Sequence, residues 1–122
     1  MPEHHEQVAL VSWARSMAGQ IPELEMLYAN PLGGKRAWKT GKMLKAEGAR
    51  AGIPDLTLAV PSRGFHGMFI EMKFGRNTVT ARQRDWIEKL RGHGYYCAVC
   101  YSFEEARDVL LWYLERSDHD LS

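Results

Sequence analysis

Gly52-Ile-Pro-Asp-Leu-Thr-Leu-Ala-Val-Pro-Ser-Arg-Gly-Phe-His-Gly-Met-Phe-Ile-Glu-Met-Lys73 decides how this chain folds. Asp55 to Val60 is rich in strand formers, and Met68 to Lys73 is a second such run. Pro61 to His66 between them carries the Pro, Ser and Gly of a turn. The two runs read as an antiparallel hairpin centred near position 64. That centre sets Asp55 opposite Lys73, with Glu71 one diagonal step away. Side chains alternate along a strand, so Phe69, Glu71 and Lys73 share one face and Met68, Ile70 and Met72 the other. Gly52-Ile53-Pro54 breaks the chain just before Asp55 and puts the aspartate at a strand start.

Glu71 and Lys73 interrupt a run in which a core strand prefers apolar residues. Charges in such a place need a partner or a task. Two carboxylates on adjacent strands suit a hard divalent cation bound through oxygen. Such a cation stabilises charge building on a scissile phosphate and acidifies a bound water. A neighbouring lysine can hold that water or steady the phosphate. Asp55, Glu71 and Lys73 are therefore the candidate catalytic set of a metal-dependent phosphodiester nuclease. The bland alternative is that Pro-Asp is a turn and Glu-x-Lys a surface pair.

Working outward, the periodicities predict helices over His5–Ala18, Arg36–Ala49 and about Ala81–His93, and a last helix opening after Ser102. In the first, Leu10, Trp13, Ala14 and Met17 share a face, and Gly19 and Pro22 end it. Asn30-Pro-Leu-Gly-Gly34 reads as a loop. Thr80-Ala-Arg-Gln83 and Ser102-Phe-Glu-Glu105 both fit capping boxes. Tyr95–Tyr101 reads as a third, buried strand. The order α-α-β-β-α-β-α defines a small mixed α/β domain in which the third helix connects two parallel strands. One domain is expected for 122 residues, 45% of them apolar and 25% charged. No apolar run of transmembrane length and no signal-peptide pattern occurs, so an intracellular, non-membrane protein is expected.

Formal net charge is only +1, but it is unevenly spread. Lys35, Arg36, Lys39, Lys42, Lys45 and Arg50 face Glu47 alone, whereas the segment after Phe103 is acidic. Lys35, Lys39 and Lys42 follow helical spacing. They form either a solvated face or a stripe that neutralises DNA phosphates, with Trp38 able to stack on a base. Cys97 and Cys100 have a CxxC spacing, yet an offset of three in a strand sends them to opposite faces, and no second pair completes a zinc site. They read as core thiols. Glu6 stands in the first helix, either as a residue favoured by the helix dipole or as a third carboxylate ligand. Gln83 is the N3 residue of its capping box, and it also lies on the inward stripe of Trp86, Ile87 and Leu90. There its amide needs partners, such as Glu71 or Lys73.

Glu6-Gln7, Asn30-Pro-Leu-Gly-Gly-Lys-Arg36, Lys45-Ala-Glu-Gly-Ala-Arg-Ala-Gly-Ile-Pro-Asp-Leu56, Ile70-Glu-Met-Lys73, Thr80-x-x-Gln83 and the Tyr113-Leu114 helix together resemble the VRR-NUC family. These are the virus-type replication–repair nucleases of the PD-(D/E)xK superfamily. The resemblance implies a restriction-endonuclease-like core and cleavage assisted by Mg²⁺ or Mn²⁺. It implies Glu6, Asp55, Glu71 and the carbonyl of Met72 as metal ligands, Lys73 as catalytic lysine and Gln83 as a supporting residue. The chain's length is similar to that of phage and bacterial members akin to Holliday junction resolvases. The expectation is a structure-specific DNA endonuclease acting on branched DNA as a homodimer. A flap- or nick-processing nuclease is the rival within the class, and a non-catalytic DNA-binding module the rival outside it.

Overall fold

The computed structural model of the chain describes residues 2–30 and 38–117, and side chains from 5 to 30 and from 42 to 117. Helix α1 spans Pro2–Met17 and is followed by a 3₁₀ turn at Pro22–Met26 and by strand β1, Leu27–Ala29. Helix α2 (Trp38–Ala46) precedes β2 (Leu56–Leu58) and β3 (Met68–Met72). Helix α3 (Ala81–Gly92), β4 (Tyr96–Cys100) and α4 (Phe103–Tyr113) complete the fold. Mixed α/β architecture is thus as expected, with one strand more than the sequence signalled. Strand β1 is three residues long and half exposed, too short for an alternating pattern to register.

The sheet runs β1-β2-β3-β4. The first two pairings are antiparallel and β3–β4 is parallel. Parallel pairing follows from α3, which carries the chain back to the start of a neighbouring strand. On one face Leu56, Leu58, Met68, Ile70, Met72 and Cys100 pack with Leu10, Ala14, Ala106, Leu110 and Tyr113 of α1 and α4. Cys97 is buried outside that cluster, under α3, where its Sγ lies 3.9 Å from the Ile87 carbonyl. The two cysteines do occupy opposite faces. Burial raises their pKa values to about 11 and about 12, which keeps both as inert thiols.

The expected hairpin register is corrected. Leu56 pairs with Ile70 and Leu58 with Met68, so continuing by one residue sets Asp55 opposite Glu71 rather than Lys73. Two local features cause the shift. The turn is a tight two-residue loop closed by reciprocal Ser62–Phe65 backbone bonds. Arg63 (φ 52°) and Gly64 (φ 84°) sit at its centre with the positive φ of a type I′ turn. One extra residue is then absorbed before Pro61, where the Val60 N–H turns back to the Leu58 carbonyl at 3.0 Å. The buried Tyr113 hydroxyl donates to the Val60 carbonyl at 2.6 Å and ties this bulge to α4.

Helix α2 ends at Ala46, earlier than the expected Ala49. Gly48 takes φ +108°, and the Ala49 N–H closes back onto the Leu44 carbonyl. The N-terminal start expected at Arg36 lies outside the described residues.

Candidate active site

Pro54 is fully buried and cannot donate to a ladder. β2 begins only at Leu56. The Asp55 main chain stays anchored, because its carbonyl accepts from the Asn30 N–H at 2.8 Å. Asn30 Nδ2 also reaches the Ile53 carbonyl at 3.4 Å. Where a β2 carbonyl would have met Met72, the Asp55 carboxylate takes its place. Oδ2 accepts the Met72 N–H at 2.9 Å. A residue's N–H and C=O point to the same edge of a strand. The Met72 carbonyl is thus aimed to the side on which Asp55 stands.

Glu71 is the only buried charged residue among those described, at 3% exposure. Its side chain points to the α3 face, as the alternation required. Two donors converge on one of its oxygens. Gln83 Nε2 donates to Oε2 at 3.1 Å, and Lys73 Nζ lies 3.6 Å from the same atom. Oε1 is buried and has no hydrogen-bond partner. Burial first, and the Asp55 charge second, push Glu71 up from 4.5 to about 8, while Lys73 pulls the other way. A carboxylate held so unfavourably, with one bare oxygen beside a second carboxylate, fits an oxygen-binding divalent cation. The residues present suit the metal implied by the sequence.

Gln83 satisfies both readings at once. Its Oε1 accepts from the Thr80 N–H at 2.9 Å, and its own N–H donates to Thr80 Oγ1 at 3.1 Å, completing the capping box. The remaining amide nitrogen is the one that reaches Glu71. Gln83→Glu keeps the cap but replaces that donor by a second oxygen facing Glu71. Activity is expected to fall about 10- to 100-fold, the usual cost of disturbing an outer-shell partner. The melting temperature should stay within a few degrees, because Glu71 can hold a proton between the two carboxylates. Steady-state cleavage and a thermal melt on the same preparation check both halves. Full activity would reduce Gln83 to a cap.

The structure does not draw Glu6 into this group. Its Oε1 accepts the Phe103 N–H at 2.8 Å, at the first turn of α4. Trp13 packs edge-on against the Phe103 ring beside it. Glu6 thereby fastens α1 to α4, a role invisible to sequence because the partners are 97 residues apart. Among the described residues no three His, Cys, Asp or Glu side chains cluster as a ready metal cage. Of the expected DNA-binding residues, Lys42 is exposed on α2. Trp38 and Lys39 lie in the same helix with side chains outside the description, and Lys35 and Arg36 fall outside the described residues altogether. Asn30, the anchor of Asp55, was legible only as part of a loop.

The family model of the VRR-NUC domain matches residues 2–104, and the chain belongs to that family, a nuclease family of the PD-(D/E)xK type. Among solved structures, a VRR-NUC domain protein is 24% identical, with 94% of this chain and 89% of that one covered at a TM-score of 0.77. At that identity the likeness speaks for the fold. Among curated proteins, none matches the chain significantly.

Proposed function

We propose that the protein is an intracellular, Mg²⁺- or Mn²⁺-dependent DNA endonuclease that hydrolyses phosphodiester bonds in branched DNA. The observation that carries this reading is the bare, buried Oε1 of Glu71 beside Asp55. Asp55, Glu71 and the Met72 carbonyl are the oxygens that would hold the cation, with Glu6 as the further ligand implied by the family pattern. A bound divalent cation supplies Lewis acidity toward the scissile phosphate and a more acidic water.

The protein's own contribution is positional. Asp55 is fixed by the Met72 amide, and Glu71 by Gln83. Lys73 lies beside Glu71 with 13% of its side chain exposed, where its ammonium can balance the charge that grows on a phosphate oxygen. The burial of Glu71 keeps water off the carboxylate, which strengthens each of these interactions. Lys35, Arg36, Lys39 and Lys42 are proposed to contact phosphates and Trp38 a base. No helix among the described residues is long and apolar enough to cross a membrane.

A single site of this kind cuts one strand at a time. Resolving a four-way junction takes two symmetric nicks, which a two-fold dimer supplies. The chain's four Trp and five Tyr offer material for an interface. Light scattering at micromolar concentration is expected to give twice the monomer mass. Labelled junctions, flaps, nicked and intact duplexes incubated with Mg²⁺ are expected to show paired cuts in the junction, abolished by chelator. A monomer that prefers flaps would move the assignment to a repair nuclease. Undiminished cutting in excess chelator would overturn the metal-dependent reading.

A further inference from the structure

Beyond the carboxylate site, a cleft of about 510 Å³ lies between the end of α2 and the outer face of α3. It is lined by Lys45, Arg50, Arg82, Asp85, Trp86 and Lys89, with Ala49 and Ala51 as part of its floor. Four cations thus meet a single carboxylate, and that carboxylate already pairs with Lys89 at 2.9 Å. Among the described residues, Lys45, Arg50 and Arg82 have no carboxylate partner. Like charges are gathered here without an internal counter-ion.

The arginines are also held in place. The Arg50 guanidinium sits 5.3 Å from the centre of the Trp86 ring, a stacking that leaves its N–H edge free to donate. Gly52 takes φ +93°, and a Cβ there would come within 2.6 Å of Arg82 Cγ and 3.1 Å of Trp86 Cδ1. The absent side chain lets the Arg82 stem and the Trp86 ring lie on the backbone. Arg82, Trp86 and Lys89 follow i, i+4, i+7 along α3, so one face of the helix supplies half the cleft. The same helix sends Gln83 to Glu71. Gly52 and Asp55 are three positions apart, a span of at most about 10 Å, or roughly three base steps along a duplex.

We propose that this cleft grips the phosphate backbone of the DNA strand flanking the scissile bond, with Arg50 and Arg82 as paired phosphate ligands and Trp86 as the platform that orients Arg50. The proposal rests on the nuclease reading for its substrate, but its geometry is independent of the carboxylates. It makes the loop between α2 and β2 a single device, with a phosphate grip at Arg50–Gly52 and Asp55 at its end.

The test is binding of a fluorescein-labelled four-way junction, and of a duplex with the same arm sequence, by the full-length chain in chelator across a range of NaCl concentrations. The wild type and Asp55→Asn are expected to bind alike. Arg50→Ala combined with Arg82→Ala should weaken binding of every sequence and lower the log–log salt slope by about 1.4–1.8, two phosphates' worth. Trp86→Leu changes no charge and should weaken binding with a slope loss of no more than about one. Thermal melts exclude misfolding, and the exposed arginines should leave them unchanged. An unaltered affinity and slope in the folded double variant, with a wild type that cuts DNA, overturns the cleft and leaves the nuclease reading intact. A reduced slope with a wild type that cuts nothing supports the cleft and sinks the nuclease reading. Failure of the wild type to bind either DNA overturns both.

Discussion

Asp55→Asn, Glu71→Gln and Lys73→Ala are each expected to lower DNA cleavage by on the order of 10³-fold or to beyond detection. Each replacement removes a different element of the same site. Asp55→Asn keeps an oxygen that can accept the Met72 N–H but loses the charge that would attract a cation. Glu71→Gln can still pair with Gln83 and removes the buried anion. Lys73→Ala removes the one cation that, among the described residues, lies against Glu71. None of the three contributes to the α2–α3 cleft, so junction binding in chelator should survive in all of them. Parallel loss of binding and cutting would mean that these residues hold the fold or the DNA rather than perform chemistry. Glu6→Gln adds a discriminating case. The variant can still accept the Phe103 N–H, so a purely structural Glu6 predicts little change. A shift of the Mg²⁺ dependence to higher concentration would instead identify Glu6 as a ligand in the loaded enzyme.

The sequence exposed this site through its violations. A buried strand that places Glu and Lys among Met, Phe and Ile contradicts its own pattern, and such contradictions concentrate where function is stored. Helix and strand identities were legible because their periodicities are strong and their caps explicit. Thr80 and Ser102 do cap α3 and α4. The register was not legible. It depends on a type I′ turn at Arg63-Gly64 and an extra residue before Pro61, and each moves the pairing without changing the hydrophobic pattern. Strand β1 was missed because three edge residues carry too little pattern. Long-range polar contacts were missed for a different reason. Glu6 with the Phe103 amide, Asn30 with the Asp55 carbonyl, and Arg50 against Trp86 join residues whose spacing encodes nothing until the chain is folded. A capping box and a site contact at Gln83 competed as explanations in sequence, and the fold resolves the competition by using both ends of one amide.

The metal-free protein is expected to lose stability as pH rises from about 4.5 to about 8, and Glu71→Gln to abolish that loss. Glu71 is ionised above 4.5 in the unfolded chain but holds its proton to about 8 in the native one. In that window the native state binds more protons than the unfolded state, so the free energy of unfolding falls with pH. Below 4.5 both states are protonated and the penalty is absent. Above 8 both are ionised and it is complete. At about 1.4 kcal/mol per unit, the whole shift sets a ceiling near 5 kcal/mol. Lys73 loses its partner in Glu71→Gln, which offsets part of the gain. A rise in melting temperature on the order of 5–10 °C is therefore expected for the variant at pH 8–9, and almost none at pH 4. Mg²⁺ should act in the opposite sense on the wild type. A cation that binds only the native, ionised site stabilises by mass action, about 2.7 kcal/mol at a hundredfold excess over its dissociation constant. That gain should grow with pH and vanish in Glu71→Gln. Melts of the two proteins across pH 4–9, with chelator and with Mg²⁺, check both directions. Subtracting the variant removes every contribution common to the two proteins. Parallel curves would show that Glu71 is not held under the strain its surroundings imply. The protein would then lack the stored cost that makes its site demand a cation.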